Sequence, residues 1–431
     1  MNKINILGIN ISLDSKKDVL EKIEHFFSDG LQHRIVTPNP EIILEAHNDE
    51  EYFYILNTAD IAIPDGIGIK IAGLILKKNI KRIAGSELTA DILKLAEKQK
   101  KKIVVFNWRK GLSKKEDIEN KIKKLYPKLN FIVEDIDREW ALPYYQNVNI
   151  FKPEIAIVAL GFPWQDKFVY HELPKMSYIK LGIGVGGSID YLTGKIKEPP
   201  KLFRKLGLEW FWRLLNIFRY TNKKKRLKRI YNAIIVFPLK FFGWRYIQPF
   251  LYRPNVACML YKKAERHDTT NVAPASNASL RADRHANEKS SNYKILIVKR
   301  NEKEDHWQLP QGGLSGDDIK TAGIKELNEE LNTNKFKFIA IYKNLYKYKF
   351  GERNGETAHR GTIAKKHTGY KGQKQGLLIA EFYGKDRDIK INFWDHTDWK
   401  WVDSENLVES VHPMRKKSAK IYLDKFNEVI E

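Results

Sequence analysis

Between positions 33 and 184, short runs of β-branched and other apolar residues alternate with stretches in which apolar positions recur every three or four residues. The runs predict strands at 33–37, 61–64, 102–106, 131–134, 155–160 and 178–184, and the helical spacing is clearest over 86–98 and 114–125. Strands apolar along their whole length need cover on both faces, so the alternation predicts an α/β unit with a Rossmann-like parallel sheet. Ligands of such sheets lie outside the carboxyl ends of the strands, which makes the residues just after each strand the ones to inspect. A separate set of strand-like runs starts at Tyr293.

Between the two sets the pattern changes. Positions 195–263 hold 18 Lys and Arg against two acids, 16 of the chain's net charge of +23. Trp210, Phe211, Trp212, Leu214, Leu215, Ile217 and Phe218 come first, then Lys223, Lys224, Lys225 and Arg226, then an apolar run around Ile234, Ile235, Val236 and Phe237. Dense positive charge suits nucleic acid or an anionic membrane. Aromatic residues beside Lys and Arg, flanking apolar runs shorter than the roughly 20 residues a spanning helix needs, favour a segment lying in the headgroup layer. The plainer alternative is a helix packed on a core with a solvated basic face. Positions 264–292 then balance four basic residues with four acids and contain no aromatic residue, the composition of a flexible linker.

The 431 residues suffice for two or three domains, and 42% hydrophobic with 30% charged residues describes a globular chain. The one cysteine, Cys258, excludes an internal disulfide and lies in an apolar run where a buried, inert thiol is expected. No charged leader with a signal-length apolar core opens the sequence, so a cytoplasmic protein, peripheral on the inner face of the cell membrane, is expected.

Unusual residues follow the predicted strands: Thr37-Pro38-Asn39-Pro40-Glu41, Pro64-Asp65-Gly66-Ile67-Gly68, Arg82 with Gly85-Ser86-Glu87, Gly161-Phe162-Pro163-Trp164-Gln165-Asp166-Lys167, and Gly182 through Asp190. The first is also what a helix start looks like, and the second also reads as an ordinary turn. Together, TPNPE, PDGIG, KRIAGSEL, ALGFPWQDKF, GVGGSIDYLTGKIKEPP and GLEWFWRLL make the first 220 or so residues resemble the WecB/TagA/CpsF glycosyltransferases. The resemblance implies inverting transfer of an N-acetylmannosamine-type sugar from a UDP donor to a polyprenyl-diphosphate-linked N-acetylglucosamine, without a metal cofactor. It implies Asp65 as general base, Thr37, Asn39, Arg82 and Gln165 in the substrate cleft, and Arg213 and Arg219 supplied by a membrane-associated C-terminal appendage. Sugar transfer of this kind needs an acceptor hydroxyl made nucleophilic and a diphosphate leaving group neutralised; Asp65 suits the first, and Arg82 with the backbone around Gly184, Gly186 and Gly187 the second. Two departures leave the donor sugar open. Phe106-Asn107-Trp108-Arg109-Lys110-Gly111 replaces a glycine-rich turn, and Glu198-Pro199-Pro200 stands where relatives have Arg-Ala-Pro.

In the second set, Trp307-Gln308-Leu309-Pro310-Gln311-Gly312-Gly313 precedes Lys325-Glu326-Leu327-Asn328-Glu329-Glu330, and Gly372-Gln373-Lys374-Gln375 follows later. This resembles the Nudix box, in the branch of RNA pyrophosphohydrolases and diadenosine-polyphosphate hydrolases. Spacing at i, i+3 and i+4 places Glu326, Glu329 and Glu330 on one helix face, where they would hold Mg2+, with Glu329 and Glu330 catalytic. The loop before Gly316 is one residue short, and Asp317, Lys325 and Asn332 depart from the box. The resemblance implies an α/β/α sandwich with strands at 337–349, 376–383 and 398–402 and a closing helix at 413–429.

The expected organisation is a glycosyltransferase domain at 1–194, a basic membrane-binding appendage at 195–263, a linker at 264–292 and a Nudix domain at 293–431. Its expected partners are a UDP-sugar, a polyprenyl-diphosphate-linked acceptor, an anionic membrane surface and a nucleotide substrate, with a homo-oligomer left open. Two alternatives stand beside this: hydrolysis as the working activity with the N-terminal half a scaffold, and an RNA-binding protein whose basic stretch delivers transcripts to the Nudix half.

Overall fold

The structure is a computed structural model that describes residues 3–138, 145–197, 199–200, 203, 211–212, 223–264, 292–301, 305–314, 316–349, 369–391 and 395–430. The chain forms two compact units, with the boundary between Ile247 and Gln248.

The first unit opens with a hairpin, β1 (Lys3–Ile6) and β2 (Ile9–Ser12), followed by α1 (Lys16–Phe26) and β3 (His33–Val36). Then come α2 (Pro40–Ala46), α3 (Glu50–Thr58), β4 (Ile61–Ala62), α4 (Ile67–Ile75), α5 (Gly85–Lys98), β5 (Ile103–Trp108), α6 (Lys115–Leu125) and β6 (Phe131–Ile136). It continues through α7 (Gln146–Phe151), β7 (Ile155–Ala159), α8 (Trp164–Glu172), β8 (Leu181–Gly184) and α9 (Ser188–Thr193). The sheet runs β4-β3-β8-β7-β5-β6 and all its pairs are parallel. Alternation along the strands divides the core between two faces. Ile103 and Val105, with Ile155 and Ile157, meet Val19, Ile92 and Ile118 of α1, α5 and α6. Val104 and Phe106, with Ala156 and Val158, meet Phe168 and Leu173 on the α8 side.

The basic segment enters this unit from its far end. Helix Lys223–Tyr231 is tied to α2 by the Arg229–Glu41 ion pair. After it, Phe237 and Phe241 are buried among Ile42, Tyr52, Ile69 and Ile80. The core-packing reading thus holds for two aromatic residues, while Ile235, Leu239, Phe242, Tyr246 and Ile247 stay exposed.

The second unit is a seven-stranded sheet with the path β11-β10-β9-β14-β13, in which β12 also pairs β9 and β15 pairs β10. The strands are β9 (Tyr252–Lys263), β10 (Tyr293–Arg300), β11 (Trp307–Gln308), β12 (Gln311–Gly313), β13 (Phe336–Lys349), β14 (Gly372–Phe382) and β15 (His396–Asp403). Helix Ile319–Leu331 covers one face through Ile319, Ala322, Leu327 and Leu331. Helix Lys416–Ile430 covers the other through Ala419, Tyr422 and Phe426, which makes an α/β/α sandwich.

Strand β9 corrects the expected domain boundaries. It was assigned to the basic appendage, yet it lies inside the second sheet, parallel to β14 on one side and antiparallel to β10 on the other. Positions 264–292 are therefore a connection within that unit: Lys263 pairs with Tyr293, and Ala264 N–H donates to Asn292 O at 2.9 Å. Cys258, on β9, is buried, and burial pushes its thiol well above the usual range.

Candidate active sites

In the first unit, the residues singled out after β3, β4, β7 and β8 gather along one edge of the sheet. Asp65 N–H donates to Pro38 O at 3.0 Å and Ile83 N–H to Pro64 O at 3.1 Å, which draws the segments carrying Asp65 and Arg82 together. Arg82 Nε lies 3.9 Å from Asp65 Oδ1. The Asp65 side chain keeps 31% of its surface exposed, so a ligand can reach it. Thr37 Oγ1 donates to Gly184 O at 3.4 Å, linking the ends of β3 and β8. Asn39 Oδ1 accepts from Ile42 N–H at 2.9 Å and caps α2, so the helix-start reading of that motif is realised. The loop after β5 is fastened at both ends. Asn107 Nδ2 donates to Asp135 Oδ1 at 2.8 Å, and Ser113 Oγ donates to Asp190 Oδ1 at 2.7 Å.

Gln165 lies in the first turn of α8 and is buried with its neighbour Asp166. Gly184 permits this, since a Cβ there would stand 2.5 Å from Asp166 Oδ1 and 2.7 Å from Gln165 Nε2. Sequence reasoning assigned Gln165 and passed over Asp166. Tyr52 Oη donates to Asp166 Oδ2 at 2.7 Å. Burial pushes the Asp166 carboxyl up to about 7, against the opposing effect of hydrogen bonding from Tyr52 and of the adjacent Gln165 amide. No bond of ordinary length and angle reaches Asp166 Oδ1 or Gln165 Oε1 among the described residues. Asp166 Oδ1 thus lies beneath Gly184 and Gln165 Oε1 by Gly186, where a Cβ would stand 3.3 Å from it, and buried acceptors of this kind cost stability unless a donor meets them. The expected cleft residues Arg213 and Arg219 lie outside the described residues.

In the second unit the two glutamine motifs meet. Gln311 Nε2 donates to Gln308 Oε1 at 3.0 Å, Gln375 Nε2 donates to Gln311 Oε1 at 2.9 Å and to Asn255 Oδ1 at 3.0 Å, and Tyr422 Oη donates to Gln375 Oε1 at 3.1 Å. Glu326 and Glu330 are buried on one face of helix Ile319–Leu331. Gly312 makes room for the first, since a Cβ there would fall 1.8 Å from the Glu326 carboxylate. Glu329 does not join them. Its side chain is 47% exposed and pairs with Lys325 at 3.7 Å. At 3.6 residues per turn, Glu329 and Glu330 stand about 100° apart around the axis, so only the i, i+4 pair shares the buried face.

Asp395, His396 and Arg300, none of them noticed in the sequence, lie around Glu330, and His306 lies near His396. Its carboxyl is pushed well above the usual range by burial and by the nearby Glu326 and Asp395, with Arg300 opposing. Arg300 bonds to Asp395, and His396 Nδ1 lies 4.0 Å from Glu330 Oε2. Burial, then Arg300 and His306, lowers His396 to about 3, so it is neutral at physiological pH. Among the described residues no group of three or more His, Cys, Asp or Glu is close enough together to hold a metal ion. Glu326 and Asp395 nonetheless push up the buried Glu330 carboxyl by their charge, and carboxylate oxygens are the donors that a hard divalent cation takes.

Comparison with known proteins relates the first unit to a family of glycosyltransferases. The family described as "Glycosyl transferase WecG/TagA/CpsF family" matches residues 4–249. An N-acetylglucosaminyldiphosphoundecaprenol N-acetyl-beta-D-mannosaminyltransferase of Bacillus subtilis (strain 168) is 34% identical over 227 residues, 51% of this chain and 84% of that protein. A protein of the same description from Staphylococcus aureus (strain MRSA252) is 31% identical over 233 residues, 52% of this chain and 89% of its own. Among solved structures, a C. elegans Ap4A hydrolase aligns with 41% of this chain and 98% of its own, at 13% identity and a TM-score of 0.26. The E. coli dihydroneopterin triphosphate pyrophosphohydrolase aligns with 42% of this chain and 98% of its own, at 14% identity and a TM-score of 0.25.

Proposed function

Because the chain belongs to the WecG/TagA/CpsF family of glycosyltransferases, we propose that its first unit moves an N-acetylmannosamine-type sugar from a UDP donor to polyprenyl-diphosphate-linked N-acetylglucosamine. The reaction inverts the anomeric centre and serves cell-surface polysaccharide assembly. The observation that carries this reading is the placement of Asp65, Arg82, Thr37, Gln165 and the Gly184 turn along one sheet edge, in a chain whose relatives are described as mannosaminyltransferases. Asp65 takes the proton of the acceptor hydroxyl as that oxygen attacks the anomeric carbon. The leaving diphosphate is met by Arg82, by backbone N–H groups around Gly184, Gly186 and Gly187, and by Arg213 and Arg219 of the appendage.

A lipid-linked acceptor places the enzyme at a membrane surface. Ile71, Leu74 and Ile75 of α4 and Leu239, Phe242 and Tyr246 near the appendage are exposed, and the apolar side chains beneath them share one cluster. With Lys224, Lys228 and Lys240 exposed on the same segment, this suits docking on an anionic leaflet from the cytoplasmic side. No described helix is long and apolar enough to cross a membrane.

The second unit acts as a Nudix-type phosphohydrolase on a nucleotide substrate. Glu326, Glu330 and Asp395 are the residues that would hold Mg2+, which when bound neutralises diphosphate charge and activates water. The protein itself provides the buried carboxylates, and the glutamine row from Gln308 to Gln375 fixes the strands behind them.

The decisive experiment is transfer from a panel of UDP-sugars to a short-chain lipid-linked N-acetylglucosamine, with Asp65→Asn beside the wild type. The amide keeps the shape and cannot take the proton, so transfer is lost while UDP binding remains. Full transfer by the variant would refute the role of Asp65.

A further inference from the structure

The turn that replaces the relatives' glycine-rich loop carries Trp108, and this residue takes part in a second arrangement on the same sheet edge. We propose that Arg138, clamped between Trp108 and Trp164, binds the diphosphate of the nucleotide-sugar donor. The proposal rests on the glycosyltransferase reading above and adds the donor-side residue.

Trp108 ends β5, Arg138 follows β6, and Gly161 and Trp164 follow β7, so three adjacent strands deliver them to the carboxyl edge. The Arg138 guanidinium carbon lies 3.6 Å from the Trp108 ring centre and 4.3 Å from that of Trp164. Its Nε donates to Leu160 O at 2.8 Å. Both faces of the planar cation and one edge are thereby occupied. The terminal nitrogens make no hydrogen bond or ion pair among the described residues. Asp137, the neighbouring acid, pairs instead with Arg109 at 3.4 Å. Burial lowers the Arg138 pKa and no acidic group offsets it. Gly161, at φ 75°, keeps the approach clear, since a Cβ there would stand 3.2 Å from Nη2.

A cation held partly out of water without a counter-ion is a cost that an arriving anion relieves. The free edge of a guanidinium matches two phosphate oxygens at once, and aromatic faces on both sides fix its plane before the ligand arrives. Position selects the donor. In the order β4-β3-β8-β7, Asp65 follows β4, three strands from β7, or roughly 14 Å at about 4.8 Å per strand. The exposed apolar side chains of α4 follow the same β4 end, so the acceptor's lipid diphosphate belongs there. The donor, with its anomeric carbon near Asp65, extends the other way, toward Arg138.

The test compares the full-length wild type with Arg138→Gln and Arg138→Lys. Calorimetry measures UDP, uridine and pyrophosphate binding, and initial rates give KM for donor and acceptor separately. Arg138→Gln should raise the donor KM and the UDP Kd about tenfold or more, leave uridine binding and the acceptor KM unchanged, and lose less with lysine. UDP should also quench tryptophan fluorescence of the wild type where uridine does not. A donor KM within about twofold of wild type in a folded Arg138→Gln protein overturns the proposal, as does a rise in acceptor KM alone. If that variant melts early, the wild-type quench decides, and its absence with UDP counts against the site. A wild type that binds UDP through Arg138 and transfers no sugar would sink the glycosyltransferase reading while leaving the anion site standing.

Discussion

Asp166→Asn tests whether the buried carboxyl beside Gln165 is protonated in the folded enzyme. In the native structure its pKa is about 7, against an ordinary value of 3.8, and burial is the first cause. Between those values the unfolded chain has lost the proton and the folded chain keeps it, so wild-type stability falls as pH rises through that window. At 1.36 kcal/mol per unit, a shift of about three units corresponds to roughly 4 kcal/mol. Asparagine has no proton to lose. Its Oδ1 can keep accepting from Tyr52. Relative to the wild type, the variant should therefore melt progressively higher from about pH 4 up to about pH 7, gaining roughly 10 °C at about 2–4 °C per kcal/mol. Above pH 7 the difference levels off. Calorimetric melts of both proteins from about pH 4 to pH 8, reading the transition of the first unit, give the answer. A melting difference independent of pH would mean that the carboxylate stays ionised and compensated, which refutes the reasoning.

Two further outcomes follow from the second unit and the basic segment. Glu330→Gln should abolish Mg2+-dependent release of phosphate from nucleoside diphosphate-containing substrates while sugar transfer continues; hydrolysis at wild-type rate would remove Glu330 from the site. Replacing Lys223, Lys224, Lys225 and Arg226 with Gln should weaken sedimentation with anionic vesicles by about 1 kcal/mol per charge, roughly 4 kcal/mol in all, and unchanged binding at moderate salt would assign the attachment to the apolar residues alone.

What the sequence disclosed follows from how far apart the interacting residues lie. Strands such as β5 are apolar on both faces, so the run of Ile103, Val104, Val105 and Phe106 announces a buried parallel strand without any knowledge of its neighbours. Thr37, Asp65, Arg82 and Gln165 sit just after strands and are visible as motifs. Asp166 stood inside one of those motifs, yet its importance depends on Tyr52, 114 positions away. Arg138 likewise needs tryptophans from two other strand ends before it means anything. Glu329 shows what spacing leaves open: i+3 suggests a shared face, while the fold buries Glu326 and Glu330 and leaves Glu329 half exposed beside Lys325.

The same reasoning locates the start of the second unit. Strand β9 was hidden because its apolar core, Val256 to Tyr261, directly follows a segment dominated by Arg, Lys and aromatic residues. In the fold it is a central strand. Val256, Cys258 and Leu260 face helix Ile319–Leu331, and Ala257, Met259 and Tyr261 face helix Lys416–Ile430. A fragment of residues 293–431 would lose both of those faces and leave β10 and β14 without the partner between them. At about 1.5–3 kcal/mol for each fully buried large side chain, the missing Val256, Met259, Leu260 and Tyr261 remove roughly 6–12 kcal/mol before any strand pairing is considered. That is comparable with the whole stability of a domain, about 5–15 kcal/mol. A fragment of residues 248–431 should therefore show a cooperative thermal transition by circular dichroism, and the 293–431 fragment should show none. A cooperative transition in the shorter fragment would return β9 to the appendage.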